Sequence, residues 1–389
     1  MAVHLRDSAR HGGPASFVLR PAMSSMSESV VNDRVSVAES VATGGAVQIA
    51  VRECRWLLVA VACQVVWSAV VCSLAGRSIL AGPLDAYTTV LAAALVFGVM
   101  AGAIALFRRR LAQAPSLSTR DAYARAWGSF RGEFLDREHM ATVALTLAVA
   151  PLALSAFSAA KQAIPILHPF DWDEWITKAD LALAGGVPLA QRFQFVLGRP
   201  QVTTGVDWFY HRVWTALLLA LFAVSAVSPS SPLRRRFLLS FVLVFFLVGN
   251  VLALVWSSAG PPYYALVVPG AENPYAELFS YLHSVQAHSP LLSVQGQSVL
   301  WSVYRQHIEG FGFGVSAMPS VHVASAMLVA LFGFAHSRLL GTILTIIALC
   351  TFVSSVALGW HYPLDGYVGA ALALMIWWIA GLVSRNGQA

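Results

Sequence analysis

The stretch LLGTILTIIALCTFVSSVALGWHYPLD, from Leu339 to Asp365, decides the architecture. Its first twenty residues carry no charge. At 1.5 Å per residue a helix of that length crosses about 30 Å of hydrocarbon. The run breaks at Gly359, turns polar through Trp360, His361 and Tyr362, and a second apolar run opens after Pro363 and reaches residue 383. Two such runs joined by a short polar hinge read as two membrane spans meeting water between them. In lipid each must be a helix, because an isolated strand leaves its amides unpaired.

Working outward, the same signal recurs along the chain. Eight apolar segments are expected to span, at 56–75, 88–107, 141–160, 213–229, 237–256, 320–336, 339–358 and 364–383. The expected fold is therefore all-α, a polytopic transmembrane helical bundle of about eight spans. Composition agrees: of 389 residues, 57% are hydrophobic and 11% charged, against about 25% charged in a soluble domain. The mean hydropathy is +0.66. The lipid bilayer is the expected surroundings, and nucleic acid is not an expected partner.

Three regions are expected. Residues 1–50, rich in Ser, Ala and Arg, read as a disordered cytoplasmic tail. Residues 51–140 hold two spans and an Arg-rich loop, and 141–389 form the main membrane domain. The first apolar core begins near Trp56, too late and too long for a cleavable signal. Short basic clusters at Arg108–Arg110 and Arg234–Arg236 place both termini in the cytoplasm of an inner (plasma) membrane. The Arg-rich loop, with Asp121, Glu133, Asp136 and Glu138, reads as a helix on an anionic lipid surface. On this topology 161–212, 257–319 and 359–363 lie on the extracytoplasmic side. Cys54, Cys63 and Cys72 are nine apart and alternate sides of a helix, so they read with Cys350 as apolar filler, with no metal cluster. Gly310, Gly312 and Gly314 in GFGFG suggest either a flexible segment or an ordinary connection.

The unusual chemistry falls at two helix mouths on that outer side. AMPSVHVASA holds Pro319, Ser320 and His322, and GWHYPLDGYVG holds His361, Tyr362, Pro363, Asp365 and Gly369. Each proline suits a first helical turn, so each helix offers free N–H groups and a positive dipole end, a setting that favours phosphate. His361 and Asp365 are four apart, so the carboxylate can fix the ring tautomer and leave one nitrogen as nucleophile. His322, on another helix, can act as general acid. Helix ends and a few donors can hold the phosphate oxygens, so no metal or other cofactor is expected.

These two motifs resemble the second and third signatures of the type-2 phosphatidic acid phosphatase superfamily, and more narrowly its inositol-phosphorylceramide synthase and sphingomyelin synthase branch. The resemblance covers about 160–383 and implies a six-helix phosphatase-like core. By it, His361 attacks phosphorus, Asp365 orients it, His322 protonates the leaving group and Ser320 binds phosphate. AGPPYY, with Tyr263 and Tyr264, resembles a further element of the branch, and so does DWFYHRVW, with Asp207, Tyr210 and His211. LALAGGVP resembles the glycine-proline stretch that precedes it. These residues are implied to contact substrate. RFQFVLGRP offers Arg192, six residues, then Arg199-Pro200, similar to the superfamily's Lys, six residues, Arg-Pro, but it stands before the fourth span. Ser354 and Ser355 stand where the third motif has Ser-Arg. The phosphate's cation is therefore open among Arg199, Arg212, Arg305 and Lys161.

The expected activity is that of a lipid phosphotransferase, moving a phospho-head group from a phospholipid to a lipid alcohol (ceramide- or diacylglycerol-like) through a phosphohistidine-type intermediate. With water as acceptor the same residues make a lipid phosphate phosphatase, hydrolysing a phosphatidic acid or polyprenyl phosphate type of substrate. A non-enzymatic phosphate or lipid transporter is the reading from another class. Against it, the central parts of the eight segments lack Asp, Glu, Lys and Arg.

Overall fold

The structure is a computed structural model that describes residues 22–79, 83–112, 118–310 and 312–385. Among these every regular element is helical. The helices are α1 (Ala22–Leu74), α2 (Pro83–Leu111), α3 (Thr119–Phe134), α4 (Arg137–Leu167), α5 (Asp173–Leu183), α6 (Leu189–Leu197) and α7 (Pro200–Val227). They continue with α8 (Pro232–Val255), α9 (Ala276–Gln286), α10 (Leu292–Arg305), α11 (Val321–His336), α12 (Arg338–Ala357) and α13 (Pro363–Arg385). Among the described residues six helices are long and apolar enough to cross a membrane, within α1, α4, α7, α8, α12 and α13, and two shorter apolar stretches lie at Ala92–Ala105 and Val321–His336. The chain is an integral membrane protein. All eight expected segments coincide with helices, and α11, with 16 residues, is the one shorter than a full crossing among the described residues.

Two boundaries differ from expectation. The tail expected to be disordered over 1–50 is helical from Ala22; its first 21 residues lie outside the described ones. After Pro21 the sequence has no proline until Pro83, so nothing stops a helix propagating outward from the first span. The third span, expected to end at 160, continues to Leu167. Lys161 ended the apolar run, yet it sits in the helix and faces a cavity, where a charge is tolerated. The chain divides into two units, Met1–Ala46 and Val47–Ala389, and the second holds the candidate site.

The feature that positions the site is the hairpin α11–α12. A single residue, Ser337, separates the helices; it is the N-cap of α12, accepting from Leu340 N at 3.1 Å. The two backbones approach at Gly333 and Gly341, where a Cβ on Gly333 would stand 3.1 Å from the Gly341 Cα. Thus α11 leads away from His322, α12 returns, and the polar hinge 358–362 lands beside the start of α11. Gly359 makes the reversal at φ +69°, a region that favours glycine, and a Cβ there would meet the Phe279 ring at 2.7 Å.

The Arg234–Arg236 cluster is built into this bundle. Arg234 is buried and donates to the Ser225 and Ala226 carbonyls at the end of α7, 2.9 Å each, and to Thr146 Oγ1. Arg235 pairs with Glu53 at 2.7 Å, and Arg236 lies 4.0 Å over the Trp377 ring. A helix C-terminus favours a cation, so the cluster holds α1, α7, α8 and α13 together as well as marking a side.

Candidate active site

Ser320 caps α11, its Oγ accepting from Val323 N at 3.3 Å, which sets His322 in the first turn. Pro319 stands before the cap, outside the first turn expected for it, whereas Pro363 does open α13. The two mouths are stapled together: Ser320 N donates to Asp365 O at 3.0 Å, and a Cβ on Gly369 would stand 2.5 Å from Ser320 O. Only glycine lets α13 come so close to the start of α11.

The histidines meet. Their ring centroids are 5.6 Å apart, with His361 Nε2 and His322 Nδ1 at 3.4 Å. His361 Nδ1 donates to Asp365 Oδ2 at 3.2 Å, and that same oxygen accepts from Tyr362 N at 3.0 Å. With Nδ1 protonated, the His361 lone pair is on Nε2, facing His322. Burial, and next the Lys161 ammonium, hold the His361 ring well below the usual imidazole value, so it is neutral near pH 7. The backbone of this motif hangs from Ser355, whose carbonyl accepts from Trp360 N and His361 N. The residue standing where a motif arginine was expected is thus fully buried and anchors the hinge.

Both rings line a cavity of about 260 Å³. Tyr210, Trp214, Tyr263 and Trp360 supply aromatic walls, His211 and Thr215 add polar groups, and Lys161 supplies a cation. No carboxylate lines the cavity among the described residues. A π-helical turn at Phe209–Val213 brings Tyr210 and His211 to the same face as Trp214. Of the four cation candidates only Lys161 reaches the cavity; Arg199, Arg212 and Arg305 are exposed and elsewhere. The GFGFG segment holds this lysine: Gly310 N donates to Gln162 Oε1 at 3.0 Å, Gly312 N donates to Ser158 Oγ at 2.7 Å, and a Cβ on Gly314 would meet Lys161 Cγ at 2.7 Å. Gly310 and Gly312 are thus fastened to α4; Phe311 lies outside the described residues.

The other expected contacts divide. Tyr263 lines the cavity, with its hydroxyl donating to Gln297 O at 2.8 Å. Tyr264 instead packs with Ile176, Tyr275 and Tyr362. Asp207 caps α10, accepting from Leu292 N, Ser293 N and Ser293 Oγ at 2.6–2.9 Å, and lies 3.4 Å from His211 Nδ1. Ser320 is buried in its capping role and does not line the cavity.

Sequence reasoning missed a layer of support. Asp173 accepts from Ala259 N, Gly260 N and the Tyr362 hydroxyl at 2.7–2.8 Å, tying α5 to both the AGPPYY loop and the hinge. Burial pushes its carboxyl up, while the Tyr362 hydroxyl and the two amides oppose the shift. Asp180 accepts from Leu364 N at 2.9 Å. Trp360 Nε1 donates to Ser293 Oγ, which links the hinge to Asp207. The signal for Asp173 and Asp180 was two acids amid the aromatics and leucines of FDWDEW and ADLALA. The signal for Lys161, already among the cation candidates, was its spacing, with six residues between it and His168-Pro169.

A family model described as PAP2 superfamily matches residues 174–379, just over half of the chain. The chain belongs to the PAP2 superfamily, and membership points to a phosphatase or phosphotransferase acting on lipid phosphates. No curated protein and no solved structure matches it.

Proposed function

We propose that the protein is a lipid phosphotransferase that moves a phospho-head group from a phospholipid to a lipid alcohol, on the extracytoplasmic side of the membrane. The observation that carries this reading is the cavity: two facing imidazoles, one backed by a carboxylate, and a lysine, in a space larger than a phosphate group. The aromatic walls leave room for a head group beyond the phosphorus. A phosphatase of the same family, with water as acceptor, would use the same residues.

The chemistry follows from the two nitrogens. His361 Nε2 attacks phosphorus and the P–O bond to the donor lipid breaks. The departing oxygen takes the proton of a His322 imidazolium, while Asp365 steadies the cationic His361 ring through Nδ1. His322, now neutral, removes the proton of the acceptor alcohol; its oxygen attacks phosphorus and the P–N bond breaks. Lys161, which lines the cavity beside both rings, faces the phosphate oxygens. No step calls for a metal or other cofactor. The remaining expected contacts take different parts: Tyr210, His211 and Tyr263 touch the head group, and Asp207 positions His211. Tyr264, Ser320 and Arg199 support the walls or lie outside them.

Purified protein in bilayers, given a head-group-labelled phospholipid and a lipid alcohol, should pass the label to the alcohol and be inhibited by vanadate. His361→Ala should abolish transfer at unchanged expression. Release of free phosphate with no lipid product would give the phosphatase instead. Turnover that survives His361→Ala would remove both enzyme readings.

A further inference from the structure

Three carboxylates are hydrogen-bonded to the hinge or the first residues of α13, and they are not equally served. Both oxygens of Asp173 are hydrogen-bonded, to Ala259 N, Gly260 N and Tyr362 Oη. Asp365 and Asp180 are each only half satisfied. Asp365 Oδ2 takes His361 Nδ1 and Tyr362 N, but its Oδ1 is buried without a hydrogen-bond partner. Asp180 Oδ1 takes Leu364 N, but its Oδ2 is likewise buried and unpartnered. The amides serving them are two residues apart, Tyr362 N at the end of the hinge and Leu364 N at the start of α13. A small cavity of about 10 Å³ is lined by Asp180, Tyr275, Pro261, Pro363 and His361. The titratable groups around Asp180 are Asp365 on α13, His361 and Tyr362 in the hinge, Tyr275 before α9, and Asp173 on its own helix. With His361 neutral none of these is a cation.

We propose that Asp180 is a positioning residue that holds one proton against Asp365, so that the pair carries a single negative charge while His361 acts. One proton gives the two half-satisfied carboxyls a donor. Ionising both would leave two buried charges with no counter-ion, which desolvation strongly disfavours. Burial first, and then the charge of Asp365, push the Asp180 carboxyl up to about 7, against the Leu364 amide that favours its ionised form. The catalytic consequence rests on the reading above. A single negative charge balances the cationic ring formed when Nε2 is bonded to phosphorus. A second would repel the anionic substrate, so kcat/KM falls as Asp180 ionises.

The test has a readout independent of turnover. Infrared difference spectra of the wild type across a pH titration should show the carbonyl band of a protonated carboxylic acid, lost as pH rises through neutrality and absent in Asp180→Asn. In Asp365→Asn, where the neighbouring charge is gone, the midpoint of that loss should move to lower pH. In transfer assays the alkaline fall of the wild type should recede in Asp180→Asn by about one pH unit or more. A purely structural role would lower activity evenly at every pH. An unchanged band in Asp180→Asn, an unmoved midpoint in Asp365→Asn, or identical pH profiles would each overturn the proposal. Absence of transfer activity would count against the phosphotransferase reading and leave the infrared result standing.

Discussion

His361 and Lys161 set the chemistry at the scale of single residues. A ring whose pKa is depressed by burial stays neutral on folding, whereas in the unfolded chain it takes up a proton as pH falls through about 6.5. Between those two values the unfolded state binds more protons, so stability rises with pH and is lost on acidification. His361→Gln should therefore lose less stability than the wild type between pH 7 and 5, measured by thermal unfolding in detergent. Lys161 is the only lysine or arginine that lines the cavity among the described residues. Hydrogen bonds to charged groups are worth about 1.5–3 kcal/mol, so Lys161→Gln should weaken substrate use about 10- to 100-fold in kcat/KM. Arg199→Gln should leave it unchanged. Equal effects of the two substitutions would show that Lys161 is not the phosphate's cation. The histidines and Asp365 were legible because two polar motifs interrupt apolar runs, and such interruptions are costly in lipid unless used. Lys161 was less legible: hydropathy treats it as the end of a span, and only the packing of Gly314 against its stem explains its direction.

Helix pairs decide whether these residues meet. The hairpin α11–α12 and the Gly369–Ser320 contact bring His322 and His361 together, although 39 residues separate them in sequence. Gly369→Ala would place a Cβ 2.5 Å from the Ser320 carbonyl oxygen. Overpacking of this kind costs about 1–3 kcal/mol. A misplacement of about 1 Å at a reacting group can cost about a hundredfold in rate. The expected outcome is a lowered unfolding temperature with kcat reduced at least about tenfold; unaltered kcat would mean the helix starts need not touch. The existence and order of the membrane helices could be read from periodicity and length alone. Their supports could not. Asp173 clamping Ala259, Gly260 and Tyr362 joins three segments far apart in sequence, and no local pattern encodes such a contact. For the same reason Asp207, expected at the substrate, proves to cap α10, since only tertiary structure reveals which amides a carboxylate meets.

Charge distribution governs orientation at the scale of the whole molecule. The cavity gathers Lys161, the 210–215 face, the AGPPYY loop, the segment before α11 and the hinge at one end of the bundle, while Arg234–Arg236 hold its opposite end. The positive-inside rule gives the expectation that the cavity end faces away from the cytoplasm, and cysteine accessibility tests it. In a cysteine-free background, Glu272→Cys should react with a membrane-impermeant maleimide in intact cells, and Arg338→Cys only after permeabilisation. The reverse pattern would put the site in the cytoplasm and change which lipid leaflet supplies the substrate.

The central claim is that His361 Nε2 forms a bond to phosphorus while His322 serves the leaving oxygen. The most direct measurement is mass spectrometry of the protein quenched during turnover with head-group-labelled phospholipid. The label should be found as an acid-labile phosphoramidate on the peptide carrying His361, and it should be absent from His361→Ala. A label on another residue, or an adduct that persists in His361→Ala, would contradict the account.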